Sequence, residues 1–323
     1  MFTYLIRRIL QSLLVLVIVM LITFTLPYFQ VHGILGPAYQ ILGTHATPAN
    51  LAHWAAANGM NHPYLVRFWN YVDQVVFHGN LGVSYKQNMT VWAIIALYVP
   101  RTIWLALSSF IFIILLAIPL GIAQASKRNT VFDYSATGTA FVLYAMPSFL
   151  LCMLAINAFS FHTFHLPASP PSGVSPWAMF TDPLGFLLPV ACLTLTGLAG
   201  LSRFMRGTVL EVMVQDYVRT ARAKGASNKR VLYRHAFRNA LGPIVTILGL
   251  SIPGLLGGAL IVESVFNYGG LGIQTVSAAT NLDIPVVLGI TLLVAILTVG
   301  GNLIADIALG FVNPRIRIEG AGK

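Results

Sequence analysis

Apolar residues in this chain come in long unbroken runs. Six segments are apolar almost throughout: Ile9–Phe29, Thr102–Gln124, Ser135–Ser160, Gly185–Ser202, Ile244–Val262 and Val286–Phe311. A run of about 18 residues or more is long enough to cross the hydrocarbon layer as a helix, and a helix bonds all of its own backbone where no water can. The pattern predicts an all-α polytopic membrane protein with six transmembrane helices. Arg7 and Arg8 precede the first run in the manner of a signal peptide. That run exceeds the usual length of a signal core, however, and "TLPYFQVHG" offers no small-x-small cleavage site, so it reads as a retained signal anchor.

The connection after the first run carries helical signals of its own. Thr47-Pro48 has the form of an N-cap followed by proline at the first helical position, and Asn58-Gly59 the form of a stop. Leu65, Phe68, Trp69, Val72 and Val76 then recur at helical spacing, which predicts an amphipathic helix. These features describe a small folded cap. Two further connections on the same side are "HLPASPPSGVSPWAMFTDP" and "NYGGLGIQTVSAATNLDIP". On the other side the long connection is Arg203 to Pro243.

Composition narrows the class. Hydrophobic residues make up 57% of the chain and charged ones 9%, which excludes an ordinary soluble domain. The net charge of +10 suggests nucleic acid until its placement is considered. With the N-terminus inside, 16 of the 19 Lys and Arg fall on the cytoplasmic side, nine of them between Arg203 and Arg238; only Arg67, Lys86 and Arg101 fall outside. This is the positive-inside bias, and it predicts both termini in the cytoplasm. Cys152 and Cys192 lie inside predicted spans and offer neither a disulfide framework nor metal-ligand spacing.

The basic connection, "DYVRTARAKGASNKRVLYRHAFRNALGP", is where the remaining charge collects. A helix from Lys229 to Leu241 would set Arg230, Arg234 and Arg238 on one stripe and Leu232, Ala236 and Ala240 on the opposite face. Just before it, "TARAKGAS" is a run of small residues with Gly225 placed to turn the chain between two short helices. The residues leave three roles open: anchorage to anionic lipid, a docking element for a cytoplasmic motor subunit, or nucleic-acid binding. The last is disfavoured because only Tyr217, Tyr233 and Phe237 interleave the basic residues.

This stretch resembles the cytoplasmic EAA-type loop of ABC importer permeases of the dipeptide/oligopeptide/nickel family. The likeness continues through "YLIRRILQSLLVL", "HGNLGVSY", "AIPLGIAQA", "YAMPSFLL", "HLPAS", "VESVFNYGGLG", "DIPVVLGI" and "GFVNPRIR". The general pattern has a glutamate six residues before its glycine and an Ile-x-Leu-Pro downstream, where this chain has Arg219 and "HAFR". The resemblance implies a type I ABC importer transmembrane fold, divided into an N-terminal helix and cap (1–92), a core (93–311) with coupling loop 203–243, and a cytoplasmic tail (312–323). It implies that Arg219, Ala221, Ala223, Lys224, Gly225, Ala226, Arg230 and Arg234 couple the chain to ATPase subunits. It also implies a homologous second permease, two ATP-binding subunits or domains, an extracytoplasmic substrate-binding protein and a lipid environment. The sequence has no G-x-x-x-x-G-K-[ST] phosphate loop, so no cofactor is expected on this chain, and ATP with Mg belongs to partner subunits.

Candidates for the pathway or its gate are Pro147 and Ser148 in the third span, Pro253, Gly257 and Gly258 in the fifth, and Glu263 at the fifth span's outer end. Proline breaks helix bonding and glycine admits close packing, while an ionisable group at the membrane is a functional candidate by default. Packing alone, or a hydrogen bond to the "NYGGLG" turn in the case of Glu263, is the alternative for each. Asn302 and Asp306 share a face of the last helix, as expected of an inter-helix bond. Seven of eight histidines fall on the external side, and His162 and His165 would sit close enough to share a metal if helical. An ion-coupled secondary transporter would want ionisable groups near the midplane, and a membrane enzyme a catalytic cluster; neither pattern is present. Peptide, nickel, glutathione and glycoside cargo are not separated by this chain's sequence, and peptides are the expected class.

Overall fold

The computed structural model describes residues 2–29, 35–170 and 183–312. Two compact units emerge, Met1–Pro100 with Gly269–Gly300, and Arg101–Tyr268 with Gly301–Lys323. The described residues are helical apart from turns and one isolated bridge between Val83 and Thr90.

In the first unit α1 (Phe2–Thr25) runs into a short 3-10 turn, Leu26–Phe29. Leu10, Leu13, Leu14, Val17, Ile18, Leu21 and Ile22 all lie exposed on it, as expected of a helix whose solvent is lipid. The cap follows: α2 (Gly36–Leu42), α3 (Pro48–Ala57) and α4 (Tyr64–His78). Thr47 caps α3 by accepting from the Asn50 amide at 3.3 Å, and Gly59 leaves it with φ of +64°. The periodicity placed α4 correctly but rotated its face. Leu65, Trp69 and Val76 are exposed, and it is Phe68, Tyr71, Val72 and Val75 that pack on the unit's core. Phe24 of α1 decides this, for its ring sits against Tyr64, Phe68 and Tyr71 at 5.5–5.7 Å.

The same unit holds α11 (Leu271–Thr280) and the first part of α12 (Ile284–Val312). Two sequence motifs meet here. Asp283 of "DIPVVLGI" is buried, and its carboxylate accepts from the Ser84 hydroxyl and from the Tyr85 amide of "HGNLGVSY". Lys86 donates to Asn281 at 2.8 Å beside them. Burial pushes the Tyr85 phenol up to about 12, with Asp283 adding to the shift and Arg67 opposing it.

The second unit is built on α5 (Val91–Ser126), which begins in the first unit, together with α6 (Val131–Ala145), α7 (Ser148–Ala155) and α8 (Leu184–Met213). Next come α9 (Asp216–Ala223) and α10 (Arg238–Val265). One apolar cluster gathers Leu105, Cys152, Phe186, Val262 and Phe266. Another gathers Ile113, Ala117, Met205, Val209, Ala236, Ala240 and Ile244. Both cysteines are buried in the first cluster as free thiols. Gly121 allows α5 to touch α8: a Cβ there would lie 2.6 Å from the Ser202 carbonyl oxygen and from Met205 Cβ.

Among the described residues four helices are long and apolar enough to cross a membrane, or five if one bent pair is a single span. The remaining expected run, Ile244–Val262, lies within α10. The third run departs from expectation. It is no single rod, because α6 and the helix beginning at Ser148 meet at 107°. Pro147 causes the break: it has no amide to donate, and it forces Met146 into extended backbone at ψ of 128°. Beyond α7 the chain continues as a wider π-helical segment, Ile156–Thr163. The fourth run continues past Ser202 as helix to Met213, so Arg203 and Arg206 sit on a helix.

Candidate functional site

The basic connection folds as α9, a tight turn, and a second helical segment continuous with α10. Only Val218 of α9 is fully buried, while Arg219, Ala223 and Lys224 are exposed and Ala221 half-buried. The turn is a glycine-dependent helix stop. Gly225 takes φ of +78°, its amide bonds the Arg222 carbonyl at 2.9 Å, and the Ala226 amide bonds the Ala221 carbonyl at 3.1 Å. Those two bonds reproduce the Schellman arrangement, in which the residue after the cap adopts the left-handed conformation. Ser227 then starts the next helix by accepting from the Arg230 amide.

That helix is not α-helical throughout. Val231–Phe237 is π-helical between Asn228–Arg230 and α10, so the regular i, i+4 register expected from Lys229 to Leu241 is widened at this point. The burial still divides in two. Arg230, Arg234 and Arg238 are exposed, while Val231, Leu232, Ala236 and Ala240 are buried. Leu232, Ala236 and Ala240 pack on Met205, Val209 and Ile244 of α8 and α10. The connection is thus an exposed basic surface clamped at its back to two long helices.

A second polar assembly lies on α6 and α8. Asp133 is 1% exposed and takes a two-pronged bond from Arg206, 2.7 Å from Nε and 2.8 Å from the second guanidinium nitrogen. The Asn129 amide and the Thr137 hydroxyl also reach its carboxylate. An Arg–carboxylate fork of this kind is strong and directional. Arg206 also borders a cavity of about 810 Å³ whose walls come from α5, α6, α8 and α10. Sequence reasoning passed over this pair, although a carboxylate at the start of an apolar run was a signal that it had a partner.

The remaining predicted residues are dispersed. Glu263 is fully buried, accepts from Thr102 at 2.7 Å, and offers its backbone carbonyl to Tyr268 at 2.8 Å. It does not line the α5–α10 cavity. Pro147 is exposed and Ser148 half-buried at the α6–α7 break. Gly257 is exposed, with no described atom within 4 Å of a Cβ built there. Pro253 and Gly258 belong to α10, but their environments lie outside the described residues, as do the Asp306 side chain, His32 and the tail beyond 312. His162 contacts the Asn157 carbonyl at 2.8 Å, and the helical segment ends at Thr163, before His165. The helical spacing that a shared metal required is therefore not present. Among the described residues no group of three His, Cys, Asp or Glu comes together.

Comparison with known proteins adds an independent line. Residues 117–318 match the family model described as binding-protein-dependent transport system inner membrane component, and residues 1–106 match the model of its N-terminal region. The oligopeptide transport system permease protein AppB of Bacillus subtilis is 34% identical over 97% of this chain and 98% of its own length. The dipeptide transport system permease protein DppB of Escherichia coli is 36% identical over 90% of this chain and 93% of its own. A crystal form of the inward-facing MetNI methionine ABC transporter aligns with TM-score 0.53 and 16% identity, covering 69% of this chain and 97% of that one. That likeness is one of fold.

Proposed function

The chain belongs to the family of binding-protein-dependent transport system inner membrane components, and from that premise we propose that it forms one permease half of an ATP-driven importer for di- or oligopeptides. The observation that carries the cargo class is end-to-end similarity to relatives named as peptide permeases, at 34–36% identity. The subunit is a membrane permease component and not the ATPase; ATP and Mg are held by two separate subunits. A homologous second permease completes the pathway, and an extracytoplasmic binding protein delivers cargo. Both termini face the cytoplasm. Residues 1–92 form the N-terminal transmembrane helix and its extracytoplasmic cap, residues 93–311 the core with the coupling loop at 203–243, and residues 312–323 a cytoplasmic tail.

Coupling follows from how the basic connection is mounted. Ala221, Ala223, Gly225 and Ala226 present little side-chain bulk and enter a groove on the ATPase subunit. Arg219, Lys224, Arg230 and Arg234 flank that entry. Behind them Val218, Leu232, Ala236 and Ala240 are buried, so a force on the loop reaches α8 and α10 through packed side chains, which transmit displacement because close-packed contacts do not compress. Pro147–Ser148 mark a bend between α6 and α7, Pro253, Gly257 and Gly258 are carried on α10 as candidates for the gate, and Glu263 fastens the outer end of α10 to α5.

The test is a mild-detergent purification of the tagged chain from its native cells, followed by peptide uptake in vesicles. Recovery with a second permease, phosphate-loop ATPases and a binding protein, and ATP-dependent uptake of di- or tripeptides, is the expected result. Recovery of the chain alone, or a complex that moves no peptide, overturns the reading.

A further inference from the structure

The cavity between α5, α6, α8 and α10 contains a cation that the fold has not neutralised. Two arginines line it, Arg203 and Arg206, and no carboxylate does. Arg206 is spent on Asp133. Arg203 is exposed and has no acidic partner among the described residues, yet it is not loosely placed. Its guanidinium lies over the Phe141 ring at 5.6 Å and the Tyr144 ring at 5.5 Å. A guanidinium stacked on ring faces keeps its N–H donors at the edge, where they suit a planar oxyanion. Tyr144, itself exposed, lines the same cavity. Thr137, Thr196 and Ser251 add hydroxyl groups to the wall. With Asp133 and Arg206 cancelling, the cavity wall carries one net positive charge, on the exposed Arg203 side chain. At about 810 Å³ it lies within the size range of small-ligand sites.

We propose that this cavity receives a carboxylate of the imported cargo, with Arg203 as its charge partner and Tyr144 as an additional donor. The inference rests on the peptide reading above and deepens it: the group recognised is the free C-terminal carboxylate of the peptide. A lone positive charge opposite a carboxylate leaving water is a charge-assisted bond, and removing one partner of such a bond lowers preference for the anion by about tenfold or more.

The experiment uses the complete importer, with partner permease, ATPase subunits and binding protein, reconstituted into vesicles. Uptake of trialanine is compared with uptake of its C-terminal amide at saturating binding protein, for the native chain, Arg203→Gln and Arg203→Lys. Any preference exerted by the binding protein is common to all three and cancels when the ratios are compared. The expected result is that Arg203→Gln lowers the acid-to-amide uptake ratio about tenfold while amide uptake persists, which also certifies folding and assembly; Arg203→Lys falls between. An unchanged ratio, or equal loss of both peptides in both variants, overturns the proposal. The measurement is repeated in phosphatidylcholine vesicles with and without phosphatidylglycerol. An Arg203→Gln effect confined to the anionic vesicles assigns the arginine to a lipid phosphate and overturns it too. If the native complex moves neither peptide, the peptide reading fails first and takes this inference with it.

Discussion

Gly225 offers the sharpest test of how the basic connection is built. Its φ of +78° is costly for any residue with a Cβ, by about 1–2 kcal/mol. No described atom lies within 4 Å of a Cβ placed there, so Gly225→Ala introduces the backbone penalty without a collision. The closed turn, with its bonds from Gly225 to Arg222 and from Ala226 to Ala221, then opens about 5- to 30-fold more often. Asn tolerates the left-handed region far better than Ala, so Gly225→Asn recovers most of the loss although its side chain is larger. The direct assay is amide hydrogen exchange at residues 225 and 226 in the solubilised chain, which reports local opening. Binding of the purified ATPase subunit follows in parallel and weakens in the same order. If Ala exchanges as slowly as Gly, the conformational argument fails. If Asn is as damaging as Ala to subunit binding while exchange recovers, side-chain bulk rather than the turn governs the contact.

Three further outcomes follow from packed or paired groups. Asp133→Asn leaves Arg206 without its counter-charge and lowers stability by about 3 kcal/mol, read as a fall in melting temperature of the purified chain; Asp133→Asn with Arg206→Gln restores part of it. Gly121→Ala forces a Cβ to 2.6 Å from the Ser202 carbonyl oxygen, costing about 1–3 kcal/mol, whereas Gly138→Ala, with open space around it, leaves the melting temperature unchanged. Asp283→Ala strands the Ser84 hydroxyl and the Tyr85 amide at a cost of about 2 kcal/mol, and limited proteolysis then cuts residues 82–90 faster than in the native chain.

Periodicity located the helices because lipid imposes the pattern residue by residue, but it could not see what bends or rotates them. The α4 face is set by Phe24, some forty residues away, and no window centred on α4 contains that ring. The break at Met146–Pro147 was legible as a proline and invisible as an angle, since many membrane helices carry proline and stay nearly straight. In the basic connection, Gly225 announced its turn because only one common conformation rewards glycine after a helix. The π-helical segment at Val231–Phe237 had no such announcement. It keeps both Val231 and Leu232 buried, and Leu232 packs in one cluster with Met205 and Val209 of α8, residues that no local window contains.

Polar groups tell the rest of the story by what they have already bonded. In a chain this apolar, a buried charge left alone is expensive, and the structure settles the cost locally wherever it can. Asp133 has Arg206, Glu263 has Thr102, and Asp283 has Ser84 and Tyr85. Each of these closes a fold contact and leaves nothing over for a partner. Arg230, Arg234 and Arg238 are different: they stand exposed, with no acidic residue paired to them among the described residues. Arg203 is exposed as well, but its guanidinium lies over aromatic faces in the wall of a cavity without a carboxylate. Sorting by paired and unpaired charge therefore separates the groups that hold the permease together from those left to meet something else. It moves attention from Glu263, which the sequence favoured, to Arg203, which it did not.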